Sequence, residues 1–299
     1  MFNQVKINNR KTAILITFFL VSIIALGWLF SLLLDSYWIF VFAVIISVAQ
    51  AFVSYWYSDK IVLFLSHAKP IKKEECPELY QIVENLCAKA NLPLPKIYLI
   101  NESQPNAFAT GRNKKHSAVA VTRGLLERLG YKELEGVIAH ELSHIGNKDI
   151  LLSTVIVVLA GIISSVSQLF LRLSFWGGAG RGSKDDNQAG GIILLVLGII
   201  AAILAPIAAS LIQLAISRKR EFLADSSAAL LTKNPEGLVQ ALIKISQDPH
   251  PLITATNSTA HLYISSPFKG KQSQRWLIKL FSTHPPIEER IKALRKINV

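Results

Sequence analysis

His140 and His144 stand four positions apart, with Glu141 directly after the first, in the segment His140-Glu141-Leu142-Ser143-His144. On a helix this spacing puts both imidazoles on one face, about one turn apart. Two neutral imidazoles there can share a metal ion, with a carboxylate beside them to move protons. The bland alternative is an amphipathic helix carrying two solvated histidines. Val137, Ile138, Leu142 and Ile145 argue against it. They make the helix a buried one, in which unsatisfied imidazoles and a carboxylate are costly.

A catalytic zinc takes three protein ligands and keeps a fourth position open. No third histidine follows at the H-E-x-x-H-x-x-G-x-x-H spacing, since position 150 is Ile. A carboxylate is then the natural third ligand. Glu221 and Asp225 lie on one helical face in the segment Arg218–Asp225. Glu221 is expected to ligate zinc, and Asp225 to hold a ligand imidazole by a hydrogen bond that fixes its tautomer.

The elements that must position these groups are largely apolar. Hydrophobic residues make up 51% of the 299-residue chain and charged residues 17%, and mean hydropathy is +0.38. This composition excludes an ordinary soluble domain and points to membrane spans. Four runs without a charge, 12–34, 37–57, 150–171 and 191–216, read as two helical hairpins, residues 1–57 and 150–216. Pro206 kinks the last run. Trp28, Tyr37, Trp38, Tyr55, Trp56 and Tyr57 lie towards the ends of the first pair, where amphipathic rings favour the interface. The second hairpin would bring the ends carrying His140/His144 and Glu221 together.

The net charge of +12 comes from scattered residues that flank the apolar runs, with no aromatic-interleaved basic patch, so nucleic acid is not the expected partner. Lys6, Arg10 and Lys11 precede the first run, only Asp35 sits at the first hairpin tip, and Arg218-Lys219-Arg220 follow the last. Cationic flanks remain cytoplasmic. Both termini and the polar regions 58–149 and 217–299 are therefore expected inside the cell membrane. Cys76 and Cys87 form no disulfide framework, in keeping with a reducing compartment. The polar regions read as α+β. Helices are expected over 78–90, 124–129, 133–146, 221–232, 235–247, 276–281 and 287–297, strands over 96–100 and 117–122, and irregular chain over 248–274. His67, His116, His250 and His261 have no partner at ligand spacing and read as structural or surface residues.

Together these segments resemble the HtpX-type membrane zinc metalloproteases, relatives of the type 1 CAAX prenyl proteases. The resemblance rests on Asn106-Ala107-Phe108-Ala109-Thr110-Gly111, the run from His140 to Asp149, Arg218-x-x-Glu221-x-x-Ala224-Asp225, and Ser282-Thr283-His284-Pro285-Pro286-Ile287-Glu288-Glu289-Arg290-Ile291. It implies a mainly α membrane protein with four transmembrane helices and a cytoplasmic zincin-like (gluzincin) catalytic domain with a small β-sheet. It implies one Zn²⁺ held by His140, His144 and Glu221, with Glu141 as acid/base. It adds Asn106–Ala109 as an edge strand that holds substrate, and His284 with Arg290 as a downstream pair that stabilises the oxyanion. The implied activity is hydrolysis of misfolded or damaged membrane proteins at the cytoplasmic face, as quality control in a stress response, with self-cleavage also expected. Two alternatives stay open. One is a CAAX-type processing protease acting on lipidated peptides. The other is a non-catalytic metal-binding membrane regulator, against which Glu141 argues, because pure metal binding has no need of a base.

Overall fold

A computed structural model of the chain describes residues 2–33, 35–179, 198–200, 218–269 and 285–298. It begins with two long apolar helices, α1 (Phe2–Leu33) and α2 (Tyr37–Trp56), antiparallel across a turn in which Asp35 adopts φ 49°. They approach closely at Gly27, where a Cβ would lie 2.1 Å from that of Ala43. Both are long and apolar enough to cross a membrane. Trp28, Leu32, Trp38, Phe42, Ile45 and Phe52 stay exposed on them, as lipid-facing residues do.

The short helix α3 (Ser58–Leu65), which periodicity did not signal, leads into a four-stranded sheet. Its strands are β1 (Lys69–Pro70), β2 (Lys96–Ile100), β3 (Ala107–Asn113) and β4 (His116–Thr122), in the order β1-β2-β4-β3. β2 pairs parallel with β4, and β3 pairs antiparallel with β4 as the outer strand. Side-chain alternation gives the sheet two buried faces. Ala107, Ala109, Val119 and Val121 enter the main core with α4 (Pro77–Ala90) and α6 (Tyr131–Gly146). Phe108, Ala118 and Ala120 pack on the other side with Val62, Val157 and Tyr263.

α5 (Arg123–Arg128) is capped by Thr122, whose hydroxyl accepts the Leu125 N–H. The start of α6 is held by Glu133, whose carboxylate accepts the Gly130 N–H at 2.8 Å. α8 (Arg218–Thr232), α9 (Pro235–Gln247) and α10 (Ile287–Leu294) complete the core around α6. α9 approaches so closely at Gly136 that a Cβ there would lie 2.7 Å from the Leu238 backbone nitrogen.

α6 ends at Asn147, and Lys148 takes the left-handed conformation, φ 57°. α7 (Asp149–Ala179) then departs at 86°. This helix differs from the expected third span in two ways. It continues to Ala179, into the stretch expected to be a loop. From Ile150 to Ile163 it is also packed on most faces, with Val155, Ile156, Val157 and Leu159 fully buried against α1, the sheet and their neighbours. Its first part, Asp149–Ser165, forms with α6 a candidate span bent by 86°. The described residues hold two helices long and apolar enough to cross a membrane, or three with that bent pair; most of the fourth expected run, 191–216, lies outside them, as do 276–281 and His284. Cys76 and Cys87 are free thiols, and Cys87 is buried.

Candidate active site

α6 presents His140 and His144 on one face, and their Nε2 atoms lie 3.2 Å apart. α8 packs against that face and brings Glu221 to both, at 3.7 Å from His140 Nε2 and 3.6 Å from His144 Nε2. Tetrahedral bonds of about 2.05 Å to a common ion give ligand–ligand edges of about 3.3 Å. The two imidazoles stand at that spacing, and Glu221 reaches them with its two oxygens, Oε2 towards His140 and Oε1 towards His144. Among the described residues this is the one group of three or more His, Cys, Asp or Glu side chains close enough to hold a metal.

Each imidazole is oriented from behind. His140 Nδ1 faces Asp225 Oδ1 at 2.9 Å, and His144 Nδ1 faces Asp149 Oδ2 at 3.2 Å. A proton on each Nδ1 donates to its carboxylate and leaves the Nε2 lone pair free for an ion. Burial pushes the His140 pKa down to about 4, against the opposing pull of Asp225. For His144, burial acts in the same sense but is outweighed by the Asp149 hydrogen bond and the charges of Glu221, Asp149 and Glu141, which hold it up at about 9. The site therefore attracts positive charge in front of its two imidazoles.

Glu141 is buried beside these groups, and its pKa is raised to about 7. Burial is the main cause; Glu221 adds to it, while His144, Arg290 and the Ala109 N–H oppose it. A carboxylate with that pKa both accepts and releases a proton near neutrality. Its contact with Ala109 ties the site to β3. Along that strand Ala107 turns its carbonyl outward to accept the Ile264 N–H at 2.9 Å, and Gly111 turns its N–H to Thr154 Oγ1 at 3.5 Å. Ala109 has the same outward parity and lies between them, next to Glu141. The other expected substrate residues are engaged otherwise. Asn106 is buried and donates to the Ser265 carbonyl at 3.0 Å, and Phe108 packs edge-on against Tyr263 at 5.2 Å.

Arg290 is fully buried, and its three nitrogens are all committed. Nε and Nη2 donate to Asp225 at 2.9 and 2.7 Å, and Nη1 donates to the Ile264 carbonyl at 3.0 Å. It stands behind the ligands, 3.9 Å from Glu221, and grips the carboxylate that orients His140. Burial raises the Asp225 pKa, but Arg290 and His140 together hold it down at about 2.

Two positions without a role in the sequence reading also belong to this frame. Asp149 begins α7, where a carboxylate suits the helix N-terminus. It accepts the Asn8 amide of α1 at 2.6 Å, so the first apolar helix touches the carboxylate that orients His144. Asp149 was readable as an acidic residue five positions after His144. Asn8 carried no signal beyond being polar at the edge of an apolar run.

The chain matches the model of Peptidase family M48 over residues 73–298. It is 49% identical over 263 residues to a protein named Protease HtpX homolog from Syntrophobacter fumaroxidans, covering 86% of this chain and 88% of that one. Proteins of the same name from Caldanaerobacter subterraneus subsp. tengcongensis and Pyrococcus furiosus are 44% and 45% identical, covering 98% and 96% of this chain and 96% and 95% of theirs. A crystal structure of S. mikatae Ste24p is similar with a TM-score of 0.48 at 19% identity, covering 98% of this chain and 67% of that one. With a His-His-Glu group that could hold a metal and two helices long and apolar enough to cross a membrane in view, the chain belongs to Peptidase family M48 and is a membrane-bound metalloprotease.

Proposed function

We propose that the chain is a zinc-dependent endopeptidase that cuts exposed segments of misfolded or damaged membrane proteins at the cytoplasmic membrane surface. The observation that carries this reading is the ligand triangle of His140, His144 and Glu221 beside a buried Glu141 near neutrality, at the foot of a membrane hairpin. These three residues would hold one Zn²⁺, because two imidazoles and a carboxylate form a hydrolytic zinc donor set. When bound, zinc supplies a Lewis acid that makes water more acidic and polarises the scissile carbonyl.

The chain's own groups do the rest. Glu141 takes a proton from the attacking water and delivers it to the leaving amine, and its raised pKa suits both transfers. A substrate strand runs along the outer edge of β3 and donates to the Ala109 carbonyl, at the outward position between the two edge groups already held by Ile264 and Thr154, while the Ala109 N–H meets Glu141. Asn106, Ala107 and Phe108 fix that edge in place. His284, just before α10, is assigned to the developing oxyanion on the strength of the resemblance. Arg290 acts through Asp225 on His140 as a positioning residue.

The charge on the flanks supports a four-span arrangement in the plasma membrane, with both termini and the site cytoplasmic. The test uses protein purified zinc-free in detergent. On adding zinc, it is expected to cleave casein, a destabilised membrane protein and copies of itself, with loss of cleavage on chelation. Glu141→Gln is expected to keep its zinc and lose at least about a thousandfold in kcat. Undiminished cleavage by that variant would sink the assignment. Preferential cleavage of a prenylated peptide would move the reading to CAAX-type processing, and zinc binding without cleavage of any substrate would move it to a regulator.

A further inference from the structure

A second polar cavity, of about 410 Å³, lies away from the catalytic residues, where the end of α2 meets α3 and the β3–β4 hairpin. Four cationic side chains line it: Lys60, Lys96, Arg112 and Lys115. One carboxylate, Asp59, lines it with them. None of the four cations forms an ion pair among the described residues, whereas Lys73, Lys89 and Lys244 each meet a carboxylate. A cluster of like charges left unneutralised is unfavourable by itself and gains from an anion.

Its place decides which anion. α2 is long and apolar enough to cross a membrane and ends in Trp56, followed by Tyr57, both 44% exposed. Such rings sit at the headgroup level of a bilayer. The cations are fastened to them. The Arg112 guanidinium lies 4.4 Å over the Trp56 ring and donates to the Trp56 carbonyl at 3.3 Å. The Lys60 ammonium lies 5.0 Å from the centre of the Tyr57 ring. Phe52, on α2, and Leu63 add apolar wall. The cavity therefore offers positive charge at headgroup depth and apolar surface next to it.

We propose that this cavity binds the headgroup of an anionic phospholipid, with Arg112, Lys60 and Lys115 taking its phosphate. The bound lipid fixes the β3–β4 hairpin, and so the substrate edge of β3, against the bilayer.

The test is lipid binding by the full-length, zinc-loaded protein, read by native mass spectrometry in detergent with phosphatidylglycerol and phosphatidylcholine as probes. Wild type is expected to bind phosphatidylglycerol about tenfold tighter than phosphatidylcholine, a preference that weakens with salt. The variant Lys60→Gln/Arg112→Gln/Lys115→Gln is expected to lose the preference to within about twofold. Lys60→Arg/Lys115→Arg, which keeps the charge, is expected to retain it, as is Lys73→Gln, which does not line the cavity. Equal binding of both lipids by wild type would overturn the proposal. So would an undiminished preference in a triple variant with normal zinc content and helicity. Displacement of phosphatidylglycerol by millimolar inorganic phosphate would overturn the lipid assignment in favour of a free phosphate site.

Discussion

Asp225→Asn is the most informative single change, because the side chain volume stays the same and the charge goes. The wild-type carboxylate meets three groups: Arg290 Nε at 2.9 Å, Arg290 Nη2 at 2.7 Å and His140 Nδ1 at 2.9 Å. Asparagine has one acceptor oxygen, so its amide nitrogen must face a donor of Arg290 or His140. Arg290 has no exposure to water, and its next carboxylate is Glu221 at 3.9 Å. Removing one partner of a buried charge pair costs about 3–5 kcal/mol. The freed guanidinium also pulls Glu221 away from its ligand position. Losing the group behind a ligand imidazole typically lowers metal affinity about 10- to 100-fold.

Asp225→Asn is thus expected to lose both stability and zinc affinity, whereas Asp225→Leu/Arg290→Met regains most of the stability but not the affinity. The assays are denaturant unfolding in detergent and zinc competition with a chromophoric chelator. Acid gives a second readout with a defined sign. The Asp225 pKa is depressed to about 2, so its contribution is complete above the unfolded carboxylate value of about 4 and fades between the two. The reasoning is refuted if the single variant matches wild type in both assays, or if the double variant is less stable than the single.

Zinc affinity itself depends on pH. His144 is held at about 9 without metal, so near neutrality it carries a proton that zinc must displace, whereas His140, at about 4, carries none. Affinity is expected to rise about tenfold per pH unit from 6 to 8, and calorimetry in buffers of differing ionisation enthalpy is expected to count about one proton released; a flat profile contradicts the assignment. Asn8→Leu removes the amide from buried Asp149 and is expected to cost about 1–3 kcal/mol and to speed zinc loss, both absent in Asn8→Gln if the longer amide reaches. Equal zinc off-rates in wild type and Asn8→Leu would show that α1 has no hold on the site. Gly136→Ala forces a methyl group against the Leu238 backbone and is expected to destabilise by about 1–3 kcal/mol, measured by the same unfolding assay.

The local parts of this protein were legible because helical geometry is written in short spacings. His140 and His144 needed only the four-residue repeat to share a face, and Pro235–Gln247 was bounded by its own Asn-Pro start. Glu221 was also within reach, by elimination of a third histidine and by the search for a carboxylate near a helix start. The membrane hairpin followed from length and hydropathy alone.

What tertiary structure decided lies in contacts between distant segments, where no spacing rule applies. Hydropathy cannot tell lipid from protein interior, since both accept the same apolar side chains. That is why α7 read as a free span, yet its first turns are packed within the molecule. One left-handed residue, Lys148, turns the chain through 86° and delivers Asp149 to His144, and nothing in the composition of that turn announces the angle. Arg290 resembled an oxyanion partner in sequence, but its full burial on Asp225 places it behind the ligands. Asn8, 141 positions from Asp149, and the basic cavity at the foot of α2 exist only once α1, α2 and the sheet have packed together.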